Sequence, residues 1–154
     1  MPERKTIDEF LAQKNLAFVG VSRDSKQFAN SVYRRLRGSG RTLYPVNPAA
    51  GGDPLEGDRS YAQLAEVPEP VDGVVVMVPA EAAADVVRQA VERGIARVWL
   101  HRGAGKGSVS AEAVQICRDN DIAVVDGACP LMFDEPVGGV HRIHRFFAGR
   151  RIAA

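Results

Sequence analysis

Along this chain, short apolar runs alternate with longer segments whose apolar residues recur at helical spacing. Leu16-Ala17-Phe18-Val19-Gly20-Val21 reads as a buried strand, because no polar residue interrupts it. Phe28 to Gly38 reads as a helix: Phe28, Val32 and Leu36 recur at every fourth position, while Arg34, Arg35 and Arg37 fall mostly elsewhere. Gly38-Ser39-Gly40 stops it. Residues 42–46 form the second predicted strand, closed by Pro45 and Pro48 around Asn47. The stretch 49–59 is rich in Gly, Pro and Asp and has room for a short edge strand at most. Residues 61–65 have room for about one helical turn.

The second half repeats the pattern more cleanly. Residues 71–78 alternate so little that both faces of the strand are expected to be covered, which favours a central parallel position. Pro79 then opens a helix through residue 93, with Ala83, Val86, Val87, Ala90 and Val91 as its apolar side and Gly94 as its end. A strand over 96–100, a glycine-containing loop over 102–107, a helix over 110–120 and a last strand over 122–126 follow. Residues 140–147 are expected to dock as a closing helix within a C-terminal segment, 140–154, that ends in a frayed tail; residues 1–14 form an extension or helix at the other end. Strands separated by helical stretches imply right-handed βαβ crossovers. The expected fold is therefore α/β and doubly wound, a mostly parallel sheet of five or six strands with helices on both faces. Neither a linker nor a repeat divides the chain, so residues 1–154 are read as one domain.

Charge narrows the partners. With 20 basic and 19 acidic side chains the net charge is +1, which provides no long-range attraction for nucleic acid or an anionic membrane. The longest apolar stretch, residues 74–79, is far too short to span a bilayer, and the acid-containing start lacks the apolar run of a signal peptide. Cys117 and Cys129 make no disulfide framework, so a reducing cytoplasm is expected. Edge elements of such a sheet leave room for a homodimer.

In an open parallel sheet, ligands sit beyond the carboxyl ends of the strands. Gly20-Val21-Ser22 occupies that place after the first strand. Gly20 permits close backbone approach, Ser22 offers a hydroxyl, and the following helix start offers unpaired N–H groups. Arg23 and Lys26 can add charge-assisted bonds to a phosphate. A glycine ending a strand is also an ordinary turn residue, so this segment alone decides nothing. The departures say more. A dinucleotide fingerprint wants three glycines and an acid ending the second strand, whereas this chain has Gly20, Ser22 and Ser25, then Val46-Asn47-Pro48. No Walker lysine-serine pair is present either. Asn47 between two prolines suits the edge of an adenine or ribose pocket, and equally a rigid turn. An oxidoreductase binding NAD or NADP in the same cleft, with a substrate pocket near His101, stands as the alternative.

Taken in order, a longer set of residues resembles the CoA-binding domain family. These are small stand-alone proteins similar to the first domain of the succinyl-CoA synthetase alpha subunit. The set runs through Phe18-Val19-Gly20-Val21-Ser22 with Lys26, Tyr44-Pro45-Val46-Asn47-Pro48, Gly57 with Tyr61 and Leu64, then Pro68 and Asp72. It continues with Met77-Val78-Pro79, Val98-Trp99-Leu100-His101 with Gly103, and Val124-Val125-Asp126 with Cys129. The resemblance implies a Rossmann-like fold binding coenzyme A. By that analogy Gly20, Ser22 and Lys26 meet the phosphates, Val46 and Pro48 flank the adenosine, and Val78-Pro79 packs against the ligand; Val21, Asn47, His101 and Cys129 are counted with them as binding residues of the same rim. His101 departs from the family, which commonly carries glutamine there. The synthetase's phosphorylated histidine belongs to a second domain that these residues do not supply, so binding of CoA or an acyl-CoA without catalysis, as carrier or sensor, is the expected function.

Other candidates for chemistry are weaker. Cys129 as a nucleophile would need His101 as its base; the plainer reading makes one a small buried residue and the other a hydrogen-bonding rim residue. Cys117, inside a predicted helix, reads as buried. His141 and His144 share a helical face, yet no second ligand pair has metal spacing, so no metal site is expected. The basic tail, Arg142, Arg145, Arg150 and Arg151, reads as a solvated face.

Overall fold

The computed structural model describes residues 2–103, 105 and 107–134. The predicted closing helix, with His141, His144 and the tail arginines, lies outside the described residues. Nine principal elements follow in order: α1 (Arg4–Leu11), β1 (Asn15–Val19), α2 (Phe28–Gly38), β2 (Thr42–Val46), β3 (Gly73–Val76), α3 (Ala80–Glu92), β4 (Arg97–His101), α4 (Ala111–Asp119) and β5 (Ala123–Ala128). The five strands pair in parallel in the order β2-β1-β3-β4-β5. After β1 the chain adds β2 on one side and β3 on the other. The switch point of this doubly wound, Rossmann-like sheet therefore lies between β1 and β3.

Strand periodicity sorts the core into two layers. Phe18, Val75 and Trp99 pack with Ile7 and Phe10 of α1 and Tyr33 and Leu36 of α2. Ala17, Val19, Val74, Val76, Val98 and Leu100 pack with Ala83, Val87 and Ala90 of α3 and Ala113 and Cys117 of α4. The rings in the first layer meet edge to face, Phe10 on Trp99 at 5.3 Å and Phe18 on Tyr33 at 5.5 Å. Each such fully buried side chain contributes about 1.5–3 kcal/mol, and the Trp99 indole N–H is satisfied by the Ala128 carbonyl at 2.8 Å.

The second-half helices end for visible reasons. Beyond α3, Gly94 has φ +72°, and the N–H groups of Gly94 and Ile95 return to the carbonyls of Val91 and Ala90. This is a Schellman closure. Beyond α4, Asp121 takes the same left-handed role at φ +55°, with Ile122 N–H on Cys117 O. Ser110 caps the start of α4 by accepting from Ala113 N–H at 3.0 Å.

Three local expectations change. The strand expected over 71–78 shortens to Gly73–Val76, and just before it the Asp72 carboxylate accepts from both nitrogens of Asn15. Segment 49–59 forms no strand, only a single bridge between Leu55 and Asp58, and the helical turn expected over 61–65 sits at Leu64–Glu66. Phe28, read as core, is 50% exposed. It begins α2 above the sheet rim, so the apolar stripe of that helix leaves the core one turn before its start.

Candidate functional site

The carboxyl ends of β1, β2, β3 and β4 make one rim, and Gly20 is its crest. Its φ is +119°, and a Cβ built there would penetrate the Met77 carbonyl, lying 2.7 Å from the carbonyl carbon. The Gly20 N–H donates to Val46 O at 3.2 Å while Met77 N–H donates to Val19 O at 2.8 Å. Only glycine can pass between β2 and β3 here. The requirement is imposed by the chain's own backbone at the switch point.

Behind the crest the turn is held by Asn30, which the sequence reading missed. This α2 residue is 1% exposed. Its Oδ1 accepts from Ser22 N–H and its Nδ2 donates to Ser22 O, both at 2.8 Å, and Nδ2 donates again to Glu56 at 2.9 Å. The Asn30 amide, aided by the Arg34 guanidinium, holds the Glu56 carboxyl below its usual range. The Ser22 N–H is thus already taken, while its hydroxyl oxygen accepts from Asp24 N–H at 3.0 Å. Lys26 stands exposed on the outer lip, and Arg23 is drawn toward Ala50 O and Asp53. One signal pointed to Asn30: an amide three residues before Tyr33 on the buried stripe of α2.

Asn47 fixes the neighbouring strand end. Its Nδ2 donates to Val21 O at 2.9 Å, and its Oδ1 accepts from Ala49 N–H at 2.9 Å, capping a single helical turn at Pro48–Ala50. Its amide is spent on the turn, and no acid stands at this end of β2. The Val21 and Val46 side chains are buried, at 0% and 2% exposure, while Pro48 is open.

Ser108, also missed, stitches the next two ends together. Its hydroxyl donates to Val78 O and its N–H to His101 O, the latter at 2.8 Å. Val78 is half-buried and Pro79 exposed at the start of α3. His101 closes β4 on the α2 side of the sheet. It is 7% exposed, and among the described residues its Nε2 finds no hydrogen-bond partner. Burial pushes the imidazole down to about 4, so it is neutral at physiological pH. The half-exposed Phe28 ring lies 5.8 Å from it.

Cys129 follows Ala128, the β5 partner of His101. Burial raises its thiol, which leaves it protonated, and Cys117 is pushed up to about 11 by the same cause. Neither environment makes a thiolate. Asp134 accepts from the Ser39 hydroxyl and the Arg41 guanidinium, both at 2.8 Å. Among the described residues no group of three His, Cys, Asp or Glu side chains converges.

The rim therefore brings Gly20, Ser22, Asn47, Val78 and Pro79 around the switch point. His101 lies further along, joined through Ser108, with Cys129 on the adjoining edge strand.

A family described as "CoA binding domain" matches residues 14–134. The chain is 32% identical over 112 residues to a trans-feruloyl-CoA synthase from an unknown prokaryotic organism, a match covering 71% of the chain and 15% of that protein. It is 27% identical over 107 residues to the alpha subunit of an ADP-forming acetate–CoA ligase II of Pyrococcus furiosus, covering 69% of the chain and 23% of the subunit. It therefore spans less than a quarter of these relatives. Among solved structures, a hypothetical protein from Pyrococcus horikoshii superposes with TM-score 0.74 at 26% identity, over 82% of this chain and 85% of that one. A Thermus thermophilus protein gives 0.70 at 29% identity, over 82% and 89%. With the family matched from before β1 to beyond β5, this chain belongs to the CoA-binding domain family.

Proposed function

We propose that the chain holds coenzyme A or an acyl-CoA along the rim without transforming it, as a carrier or sensor. The observation that carries this reading is the family match over residues 14–134, whose first strand brings the Gly20 turn to the switch point of the sheet. In this reading the phosphates meet Gly20, Val21 and Ser22 with Lys26 on the outer lip. The adenosine lies against Val46, Asn47 and Pro48, and the pantetheine arm passes Val78-Pro79 toward His101 and Cys129. Because the Ser22 N–H is engaged by Asn30, the Ser22 hydroxyl and the first N–H groups of α2 are the donors left for a phosphate. A protonated Cys129 thiol and a neutral His101 suit holding better than nucleophilic attack. The protein is read as one cytoplasmic domain with neither nucleic acid nor membrane as partner. Among the described residues no helix is long and apolar enough to cross a bilayer. Light scattering reads whether two copies pair.

Isothermal titration tests the proposal, after native mass spectrometry has shown that no ligand co-purifies. Saturable CoA binding is expected. Silence toward CoA at millimolar concentration refutes it, and binding of NAD or NADP in place of CoA transfers the cleft to the nicotinamide reading.

A further inference from the structure

Two oddities of the described residues touch each other. Buried polar atoms in native proteins nearly always have partners, because leaving one unpaired is costly. Yet His101 Nε2 has none, at 7% residue exposure. Large apolar side chains of the described residues are otherwise covered, yet Phe28 is 50% exposed, and its ring lies over the imidazole with centroids 5.8 Å apart. Gly103 adjoins the ring as well: a Cβ there would stand 3.4 Å from His101 Cε1 and 3.9 Å from Nε2. The imidazole thus lies in a slot beside an exposed aromatic ring and a residue without a side chain.

We propose that this slot is the subsite for the thioester end of an acyl-CoA, with His101 Nε2–H donating to the thioester carbonyl and Phe28 covering the acyl chain. The inference rests on the CoA reading above and assigns it a ligand class. One occupant resolves both oddities, because a thioester presents a carbonyl acceptor beside an apolar chain. A free thiol supplies neither. Geometry supports the direction of the ligand. Neighbouring strands lie about 4.8 Å apart, so three steps from the end of β2 to the end of β4 span about 14 Å. That separation places His101 beyond the phosphates for a ligand whose adenosine lies at β2. A neutral imidazole can carry its proton on Nε2 and donate it. Phe28 is the first residue of α2 and exposed, so its ring can swing off the slot without disturbing the core.

The experiment compares adenosine 3′,5′-bisphosphate, CoA and hexanoyl-CoA by isothermal titration on the wild type and on Phe28→Ala, His101→Ala and His101→Gln. The wild type is expected to bind hexanoyl-CoA about tenfold more tightly than CoA, through one hydrogen bond and apolar contact. Phe28→Ala and His101→Ala should each weaken hexanoyl-CoA about fivefold or more while changing the bisphosphate less than about twofold. His101→Gln, which retains a neutral donor, should keep most of the affinity. Equal wild-type affinity for CoA and hexanoyl-CoA overturns the subsite and leaves the CoA reading standing. Variants that weaken all three ligands alike, or none, do the same. A wild type that binds none of the three ends both. Phe28→Ala alters an exposed side chain, so the fold survives to be measured.

Discussion

The crest of β1 and the end of β4 are built on opposite principles. At the crest nearly every polar group is spent inside the protein: Gly20 N–H on Val46, the Ser22 peptide on Asn30, the Asn47 amide on Val21 and Ala49. At the end of β4 an imidazole nitrogen is buried with no partner among the described residues, and an aromatic ring is half-exposed. A surface fixed in advance loses little order on binding, which suits a site that must hold a charged, flexible phosphate chain. A buried polar nitrogen left unpaired costs stability, and any group that accepts its hydrogen bond recovers part of that cost. One end of the rim is thus a frame and the other a buried imidazole beside an exposed ring, with Ser108 joining the ends of β3 and β4.

The most severe way to break the frame is Gly20→Ala. The methyl group would meet the Met77 carbonyl in a backbone conformation that disfavours any side chain. A loss of more than about 3 kcal/mol is expected in urea unfolding, with CoA binding lost in whatever remains folded. A small loss would mean that the crest bends freely and the frame is not rigid.

His101 sets the next largest effect, and it appears as a pH window. Its folded value is near 4 against an ordinary 6.5, so the unfolded chain binds the proton first. The contribution is complete above about pH 6.5 and is lost progressively as pH falls through 4, amounting to roughly 3 kcal/mol. His101→Gln should flatten that part of the stability profile. A saturating acyl-CoA should extend wild-type stability into the acid range. If the wild type and His101→Gln lose stability in parallel between pH 6.5 and 4, the imidazole is not the buried neutral group described.

Asn30 tests the frame from behind. Asn30→Ala strands the Ser22 peptide and removes one of the two donors to Glu56 Oε1, leaving Arg34 as the other, for an expected loss of about 2–3 kcal/mol and at least a tenfold weakening toward CoA. Asn30→Asp should not rescue it. The carboxylate would keep the bond from Ser22 N–H but set a second negative charge against Glu56 and the Ser22 carbonyl. If Asn30→Asp behaves like the wild type, the amide's two donations do no positioning.

How far these features were legible depends on what kind of interaction makes them. Strand positions and both helices of the second half follow from local apolar runs and from Gly94 and Ser110, signals contained within a few residues. Gly20 was legible as a turn, although its actual neighbour, Met77, comes from a strand far along the sequence. Asn30, Glu56 and Ser108 were not legible, because each acts on backbone groups brought close only by the completed sheet. Phe28 was misread because helical periodicity reports a stripe without saying where the core beneath it stops. His101 was noticed as a departure from glutamine, but its lack of a partner is a property of packing.

The smallest effect on stability is the sharpest test of where the frame meets its ligand. Lys26 is exposed on the outer lip and its backbone N–H is held by Asp24 at 3.0 Å. Lys26→Ala should change unfolding stability by less than about 0.5 kcal/mol, as for most surface substitutions. If the phosphates lie on the crest, the same change removes a charge-assisted bond, and CoA affinity should fall about fivefold at low salt. Because the charge is exposed, that difference should shrink as ionic strength rises and the screening length falls below about 8 Å. Lys26→Arg should retain most of the affinity. Unchanged binding at low salt in Lys26→Ala would move the phosphates off the outer lip, leaving the Ser22 hydroxyl and the start of α2 as their contacts, and the frame would then hold its ligand by backbone and hydroxyl dipoles without a mobile charge.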